Sequence, residues 1–117
     1  MNAPYRVTVS ANTTSLLRSL TTKTGLSPNI LARFAMLISF EDAAPLAVDA
    51  AKPDLTINRA SLFGEMEPFL MSAYALASKP PDGPGVAKDL ANHIARGTAF
   101  LNVRVQNLAD LVALVSQ

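Results

Sequence analysis

The sequence predicts a mainly α-helical single domain, spanning residues 1–117, that begins with one short β-strand and assembles into a homo-oligomer. Apolar residues recur at helical spacing through most of the chain, whereas residues 5–10 alternate as in a strand. A chain of this length fits one domain and buries roughly 65% of its unfolded surface. Since 50% of the residues are hydrophobic, we expect surplus apolar surface that a dimer or tetramer would cover.

The strand and the first helix occupy the start of the chain. Residues 5–10 alternate polar and apolar side chains, which is the period of a half-buried strand. Residues 12–14 can cap a helix N-terminus, and the apolar stripe that follows predicts a helix to about Lys23. Gly25 stands where a helix C-terminus favours the left-handed conformation, so we expect the helix to end there.

A second helix is predicted directly after this glycine. Ser27 is a favourable N-cap, and Pro28 at the first helical position loses no hydrogen bond because that amide has no helical partner. The apolar residues that follow recur on several faces up to about Phe40. This helix is therefore expected to be deeply buried.

The remaining two-thirds of the chain predict a helical remainder. Residues 41–53, interrupted by two prolines, are expected to be a connector, and residues 55–57 alternate once, as in a brief strand. Three further helices and an exposed loop rich in proline and glycine follow, at about residues 65–78, 86–101, 107–115 and 79–85, respectively. The apolar residues expected to be buried in the first and last of these helices are Phe69, Leu70, Ala73, Tyr74, Leu76, Ala77, Leu108, Leu111, Val112, Leu114 and Val115.

The composition excludes several kinds of chemistry. Cysteine is absent, so the chain carries no disulfide, thiolate metal ligand, iron–sulfur ligation or thiol nucleophile. His93 is the single histidine, which excludes a multi-histidine metal site, and we predict no catalytic, cofactor or metal site. No run of about eighteen apolar residues occurs, and the N-terminus lacks the pattern of a secretory signal. We therefore expect a cytoplasmic protein that does not contact membranes.

Charge is distributed unevenly along the chain, although its net value is only +1. Residues 1–40 contain Arg6, Arg18, Lys23 and Arg33 and no acidic residue, whereas the rest of the chain contains six basic and nine acidic residues. The first third is therefore expected to be electropositive, and an oligomer would multiply that field. The alternative is that these cations belong to an ordinary solvated surface.

The first forty residues resemble a ribbon-helix-helix unit. The resemblance rests on a strand, a helix that ends in Thr24-Gly25-Leu26, and a second helix capped by Ser27. In that family the strands of two chains pair into an antiparallel ribbon whose outward side chains enter a DNA major groove. The outward residues implied by the alternation are Arg6, Thr8 and Ser10, and the inward residues are Val7 and Val9.

The start of the second helix is the other DNA contact that this resemblance implies. The free amides of its first turn, with Ser27 and Asn29, would meet a phosphate, because the amide hydrogens and the helix dipole both favour an anion. The alternative is that Ser27 is simply an N-cap.

Three groups of residues carry a second resemblance. They are Leu31-Ala32-Arg33-Phe34-Ala35-Met36-Leu37 with Ser39-Phe40, then Asn58 with Phe63-Gly64-Glu65, and then His93 with Arg96-Gly97 and Leu101. In their order and spacing, these groups are similar to the family of the DNA sulfur modification protein DndE. The Phe-Gly-Glu and His-x-x-Arg-Gly steps are the most specific, and the resemblance spans nearly the whole chain.

This resemblance implies participation in DNA phosphorothioation, in which sulfur replaces a non-bridging phosphate oxygen. In that family the sulfur comes from partner proteins, a cysteine desulfurase and an iron–sulfur protein with an ATPase. DndE-like subunits are small helical oligomers that bind DNA, notably nicked duplex, and the absence of cysteine agrees with that division of labour. Family members are richer in lysine over the first two helices, where this chain has Lys23 alone, so binding would depend on several copies or on partner proteins.

The expected function is therefore a non-catalytic, DNA-binding accessory subunit of a bacterial phosphorothioation system. The residues expected to contact duplex or nicked DNA are Arg6, Thr8, Arg18, Lys23, Ser27, Asn29 and Arg33. Two alternatives stay open. One is a ribbon-helix-helix transcription regulator or antitoxin, and the other is a scaffold of the modification complex that does not contact DNA.

A nickase is a further alternative, indicated by His93 and Arg96 on consecutive turns of the fourth predicted helix. Histidine moves protons near neutral pH, and arginine can hold a phosphate. No carboxylate or metal site in the sequence completes this pair, so we prefer a structural role between helices, with Gly97 permitting close helix approach. Glu65 is interpreted as a helix-dipole or salt-bridge residue and Tyr74 as a core residue.

Overall fold

The computed structural model describes residues 6–49, 51–77, 81 and 85–116. The elements within these residues are β1 (Arg6–Ser10), α1 (Ala11–Thr24), α2 (Pro28–Glu41), β2 (Pro53–Asn58), α3 (Arg59–Phe63), α4 (Glu67–Ala77), α5 (Gly85–Arg104) and α6 (Leu108–Val115). A 3-10 turn at Gly64–Met66 joins α3 to α4. The predicted mainly helical fold with a short N-terminal strand is confirmed.

Helices α1 and α2 begin and end where their capping residues direct. The Ser10 hydroxyl accepts a hydrogen bond from the Thr13 amide at 3.2 Å, so α1 starts slightly earlier than expected. Gly25 has a φ of 79° and ends α1 in the left-handed conformation. Ser27 accepts a hydrogen bond from the Ile30 amide at 3.3 Å and starts α2. The predicted boundary between the two helices is confirmed.

β1 pairs with β2 of the same chain in an antiparallel two-stranded sheet. Val7 lies opposite Ile57, and Thr8 lies opposite Thr56. One edge of β1 is therefore occupied by β2, a strand that the ribbon-helix-helix resemblance did not imply. The connector after α2 is long enough to bring β2 back beside β1, and β2 has six residues rather than the brief alternation that the sequence indicated.

A short helix that the sequence did not predict follows β2. The Asn58 side chain accepts a hydrogen bond from a first-turn amide at 2.8 Å and starts α3, and Gly64, with a φ of 54°, ends it. A helix this short shows too little apolar periodicity to be recognised. α4 then begins with Pro68 in its first turn, as predicted. The expected end at Ser78, and the loop at 79–85 except for Pro81 and Gly85, fall outside the described residues.

Helices α2 and α5 pack closely at the centre of the core. A Cβ atom on Gly97 would lie 1.9 Å from the Ala35 carbonyl oxygen, so only glycine lets the two backbones come this near. One turn farther along, the Ser39 side chain bonds to His93, which shows that the helices are antiparallel. The predicted role of Gly97 in close helix approach is confirmed.

Several apolar residues that were expected in the core are exposed instead. In α4, Leu70 and Tyr74 are buried, but Phe69 is 56% exposed and Leu76 is 90% exposed. In α6, Leu111 is buried, and the residues that are exposed against expectation are Leu108, Val112 and Val115. Both helices lie at the edge of the core and bury one face only. The apolar content of the chain thus exceeds what a core of this size can cover.

Candidate nucleic-acid interface

β1 presents Arg6 and Thr8 on its solvent side. The two valines of the strand have 0% and 1% exposure and face the core, whereas Arg6 and Thr8 are exposed. The Thr8 hydroxyl lies 2.8 Å from the Thr56 hydroxyl on β2. The expected outward position of Arg6 and Thr8 is confirmed. Ser10, expected to point outward, is 5% exposed because its hydroxyl caps α1.

A cleft of about 270 Å³ lies between this face of β1 and the first turns of α5. Its lining residues are Arg6, Thr8, Ser10, Asp49, Ala51, Pro53, Ala87, Lys88, Ala91 and Asn92. We call it the β1–α5 cleft. Arg6 comes from the strand and Lys88 from the helix, so two cations border one opening. Cations beside hydroxyl and amide groups are the combination that proteins use to bind a phosphate.

Asp49, a carboxylate in the lining of the cleft, is held by the protein itself. Its Oδ1 accepts a hydrogen bond from the Ala51 amide at 3.1 Å, and its Oδ2 accepts one from the Thr13 hydroxyl at 3.4 Å. The Asp49 amide in turn donates to Asn92 Oδ1 at 3.0 Å. These bonds fasten the connector to α1 and α5, so the carboxylate serves the fold and forms no ion pair with Arg6 or Lys88 in the described part of the chain.

Lys88 is a site residue that the sequence analysis missed. It is an exposed residue of α5, where a lysine does not stand out in the sequence. Its position near Arg6 depends on the packing of α5 against β1, two elements at opposite ends of the chain. No local pattern in the sequence could have indicated that these two residues border one cleft.

Arg18 and Lys23 lie on α1 and outside the β1–α5 cleft. Arg18 is exposed, and its carbonyl accepts a hydrogen bond from the Thr22 hydroxyl at 3.2 Å. Lys23 is half-buried in the last turn, where a cation matches the helix dipole. Among the described side chains, no carboxylate forms an ion pair with either residue. Neither residue lines the cleft that Arg6 borders, so the structure does not bring them into one site with Arg6.

Ser27 and Asn29 stand at the N-terminus of α2. The Ser27 hydroxyl already accepts the Ile30 amide, so one first-turn donor is occupied by the cap. Asn29 is half-buried. The structure thus supports the N-cap interpretation, which was the alternative to phosphate binding at Ser27.

Arg33 has a different role from the DNA contact that was expected. Its Nε donates to the Leu62 carbonyl at 2.7 Å, and its Nη2 donates to the Ser61 carbonyl at 3.1 Å. The guanidinium lies against Gly64, where a Cβ atom would be 2.8 Å from Nη2. Arg33 therefore satisfies the last carbonyls of α3 and joins α2 to α3.

A buried polar cluster connects α2, α4 and α5. The Ser39 hydroxyl lies 2.7 Å from His93 Nδ1, and His93 Nε2 lies 3.7 Å from Asp89 Oδ2. The Tyr74 hydroxyl donates to the same Asp89 oxygen. The His93 ring also packs edge-on against Phe40 and Tyr74, at centroid distances of 4.8 and 5.7 Å. The core position expected for Tyr74 is confirmed, since it is 0% exposed.

Asp89 corrects the expectation that no carboxylate accompanies His93. Asp89 and His93 lie one helical turn apart on α5, at positions i and i+4. Such a spacing is common on helices, so it did not identify the two residues as a pair in the sequence. The three groups are an alcohol, an imidazole and a carboxylate, as in a hydrolase. However, Ser39 is 1% exposed and its oxygen accepts a hydrogen bond from Arg96 Nε at 2.8 Å. The hydroxyl therefore has no route to a substrate in this conformation.

Arg96 completes the structural role expected for this part of α5. Its Nη2 donates to the Ser39 and Asp42 carbonyls at 2.8 and 3.2 Å, and its Nη1 donates to the Ala44 carbonyl at 2.8 Å. These acceptors lie at and just after the end of α2, which has no basic residue of its own in its last turn. Arg96 thus supplies the cation that a helix C-terminus favours.

Burial lowers the pKa of His93 below its ordinary value of 6.5. The neighbouring Asp89 carboxylate raises this pKa in part, and the Arg96 guanidinium lowers it. Because the Ser39 oxygen already accepts Arg96, we assign its hydroxyl hydrogen to His93 Nδ1, which places the ring proton on Nε2 toward Asp89. The neutral imidazole is therefore the form that the folded protein favours.

This pKa shift predicts a pH dependence of stability. The unfolded chain binds a proton at His93 more readily than the folded chain does. The free energy of unfolding should therefore have its full value above about pH 6.5 and decrease as the pH is lowered from there. Urea unfolding between about pH 7.5 and 5 measures this slope. His93→Gln should flatten it over that interval. An equal slope in both proteins would contradict the assignment.

The described residues contain no group of three or more histidine, cysteine, aspartate or glutamate side chains placed to hold a metal ion. Glu65 is exposed in the first turn of the 3-10 segment, and it is Glu67 rather than Glu65 that forms a salt bridge, with Arg59 at 2.7 Å. Among the helices that the structure describes, none combines the length and the hydropathy needed to cross a bilayer.

Most of the chain matches a known protein family. The family model of the DNA sulphur modification protein DndE matches residues 6–108. A solved structure, the crystal structure of DndE from Escherichia coli B7A involved in DNA phosphorothioation modification, is similar at a TM-score of 0.70. The two chains are 27% identical, over 86% of this chain and 98% of that one. A comparison with curated proteins finds no match. The chain therefore belongs to the DndE family of DNA sulphur modification proteins.

Proposed function

We propose that this protein is a non-catalytic accessory subunit of a DNA phosphorothioation system and that it contacts the backbone of duplex or nicked DNA. Family membership connects the chain with DNA sulphur modification. The DNA contact is supported chiefly by the β1–α5 cleft, where Arg6 and Lys88 border one opening beside the Thr8 hydroxyl. In the described part of the chain neither cation is paired with a carboxylate. Both can therefore exchange a counterion for a phosphate.

The other basic residues extend this proposed surface unequally. Arg18 and Lys23 on α1 would add contacts to phosphates beyond the cleft, and Asn29 would add a polar contact at the start of α2, where Ser27 serves as the N-cap. We leave Arg33 out of the interface because its guanidinium is engaged by the carbonyls at the end of α3.

Several copies of the chain are needed for this surface to bind DNA firmly. One chain offers few cations and a net charge of only +1. A homo-oligomer would multiply the number of cations that face the DNA. Each further phosphate that these cations neutralise would add about 0.9 to the magnitude of the salt slope of binding. The exposed Leu76, Leu108 and Val112 are suitable for such self-association. We propose a dimer or a tetramer on this basis.

Backbone contact explains the cleft better than sequence-specific contact does. A ribbon-helix-helix regulator needs β1 of two chains to pair and enter a major groove. Here β1 pairs along one edge with β2 of its own chain, and Arg6 borders a cleft with α5. A cation beside a hydroxyl in a small cleft fits a phosphate, which carries no base sequence.

The salt dependence of DNA binding tests this proposal. We expect the wild-type protein to bind a 30-base-pair duplex, intact or nicked, with an affinity that falls steeply with salt. Lys88→Ala should reduce the magnitude of the negative slope of log K against log salt by about 0.9 for each phosphate that the bound assembly no longer neutralises. Arg6→Ala should act similarly. Fluorescence anisotropy with a labelled duplex measures both slopes, and unrelated duplex sequences should give the same result.

Arg104→Ala is the matched control for this experiment. It removes one positive charge from the opposite end of the same helix, roughly 24 Å from Lys88 at 1.5 Å per residue. The slope should stay at the wild-type value if the cleft is the contact. Equal decreases in Lys88→Ala and Arg104→Ala would show that only net charge matters, and no binding at low salt, with or without partner proteins, would remove the DNA-binding role.

A further inference from the structure

An apolar groove of about 760 Å³ lies on another part of the molecule, between α2, α4, α5 and α6. Its lining residues are Phe34, Leu37, Ile38, Glu41, Asp42, Phe69, Phe100, Leu114 and Val115. We call it the α2–α6 groove. Phe69 and Val115 in its walls are 56% and 45% exposed. Apolar walls with charge confined to a few positions are the composition of a binding groove.

The charges of the α2–α6 groove differ between its two ends. Because α2 and α5 are antiparallel, Glu41 lies at one end, and Phe100 lies toward the other. The Arg104 guanidinium stacks on the Phe100 ring, 3.6 Å from its centroid, so that end is basic. At the acidic end Asp42 pairs with Arg96 at 3.8 Å, whereas Glu41 forms no ion pair within the described residues. The C-terminal dipole of α2 adds to the negative potential beside Glu41.

The length of the groove matches a pair of helical turns. Phe34 and Glu41 are seven residues apart on α2, which corresponds to roughly 10 Å of helix. Helices that bind in grooves use apolar anchors at positions i, i+3 or i+4, and i+7, which span the same distance. A helix is thus the element whose side-chain spacing fits these walls.

We propose that the α2–α6 groove binds an amphipathic helix of another protein, with a basic residue placed beside Glu41 and an acidic residue toward Arg104. The apolar stripe of that helix would pack on Phe34, Leu37, Ile38 and Phe69, and its charged ends would complement those of the groove. This inference stands independently of DNA binding, because it uses none of the residues of the β1–α5 cleft.

A partner protein fits this groove better than a second copy of the chain does. In a two-fold dimer each copy must present an element that fills the groove of the other copy. Helices α4 and α6 carry exposed apolar side chains, but each has an acidic residue and no basic residue to place beside Glu41. Convex apolar side chains outside the groove, such as Leu76 at 90% exposure, are better suited to contacts between copies. We therefore assign the groove to a partner protein and the exposed apolar side chains outside it to contacts between copies of the chain.

Two synthetic helical peptides test the proposal on the full-length protein. Both are 14 residues long and stapled, with leucines at i, i+4 and i+7. One carries lysine at one end and glutamate at the other, and its twin carries glutamate at both ends. Fluorescence anisotropy should show the lysine-bearing peptide binding at least about tenfold more tightly than its twin. Glu41→Lys should reverse that preference, and Phe69→Glu should abolish binding of both peptides.

The controls distinguish a partner site from a self-association site. Val48→Glu places an acid on another exposed apolar residue, outside the groove lining, and should leave peptide binding unchanged. Phe69 is exposed, so Phe69→Glu should keep the wild-type melting temperature within a few degrees and the wild-type mass in sedimentation. The proposal is overturned if neither peptide binds, if both bind equally, or if Phe69→Glu dissociates an oligomer of this chain.

Discussion

Gly97→Ala is expected to destabilise the fold by about 3 kcal/mol, the upper part of the usual range for overpacking a core. The added Cβ would lie 1.9 Å from the Ala35 carbonyl oxygen and 2.6 Å from its Cα. These are backbone atoms, so no side chain can rotate away, and α2 and α5 must separate. Alanine gains about 1 kcal/mol of helix propensity over glycine, which offsets only part of this cost. Thermal unfolding should show a melting temperature lower by roughly 10 °C.

Ala99→Leu is the matched control for this prediction, since Ala99 is exposed on the same helix two residues away. It adds more volume than Gly97→Ala does, yet its effect should be within about 0.5 kcal/mol because the side chain extends into solvent. A Gly97→Ala protein as stable as the wild type would show that α2 and α5 are not in the close contact described.

Arg96→Met should destabilise the protein by about 2–4 kcal/mol, as expected for the loss of several hydrogen bonds from a charged donor. The substitution leaves the Ser39, Asp42 and Ala44 carbonyls without this partner and also removes the donor to the Ser39 hydroxyl. Methionine retains much of the length and apolar volume of arginine, so the decrease in stability reports on hydrogen bonds and charge. Urea unfolding measures the free energy directly.

Two further variants test whether the hydrogen bonds of Arg96, rather than its charge alone, stabilise the fold. Arg96→Lys should recover less than half of the stability, because an ammonium group cannot reproduce the planar fork that reaches several carbonyls. Arg104→Met, which removes a cation–π interaction with the Phe100 ring and an exposed hydrogen bond to the Phe100 carbonyl, should cost less than about 1 kcal/mol. If Arg96→Met retained full stability but did not bind DNA, Arg96 would belong to the interface rather than to the fold.

Local features of the fold could be predicted from the sequence because their causes are local. The Gly25 terminus of α1 and the Ser27 cap of α2 depend on one residue and its immediate neighbours, and both are confirmed. The alternation of β1 correctly placed Arg6 and Thr8 outward. Gly97 was interpreted correctly because a glycine inside a long helical pattern usually marks a close approach.

Features that depend on distant contacts could not be predicted in this way. Lys88 lines the same cleft as Arg6 only because α5 packs beside β1. The sequence indicated β2 only by one alternation, because its partner strand β1 lies more than forty residues earlier in the chain. Arg33 appeared to be one more cation of a basic segment, whereas its charge is used by the carbonyls of α3. Net charge along a sequence thus identified the electropositive third but not which of its cations are available.

The exposed apolar side chains of α4 and α6 show the same limit of periodicity. A helical spacing of apolar residues indicates that a face is covered, but not whether the covering surface belongs to the same chain. Phe69 and Val115 line the α2–α6 groove, while Leu76 lies outside it. The structure therefore divides one apolar pattern into a core face, a groove and an exposed ridge.

The most direct test of the central claim is a backbone amide NMR titration of the protein with a short duplex at low salt. Contact through the β1–α5 cleft predicts that the largest shift changes cluster at Arg6–Ser10 and at the start of α5 around Lys88, and that they disappear as salt is raised. Changes confined to the α2–α6 groove, or no changes at any salt concentration, would contradict the claim that this cleft meets the DNA backbone.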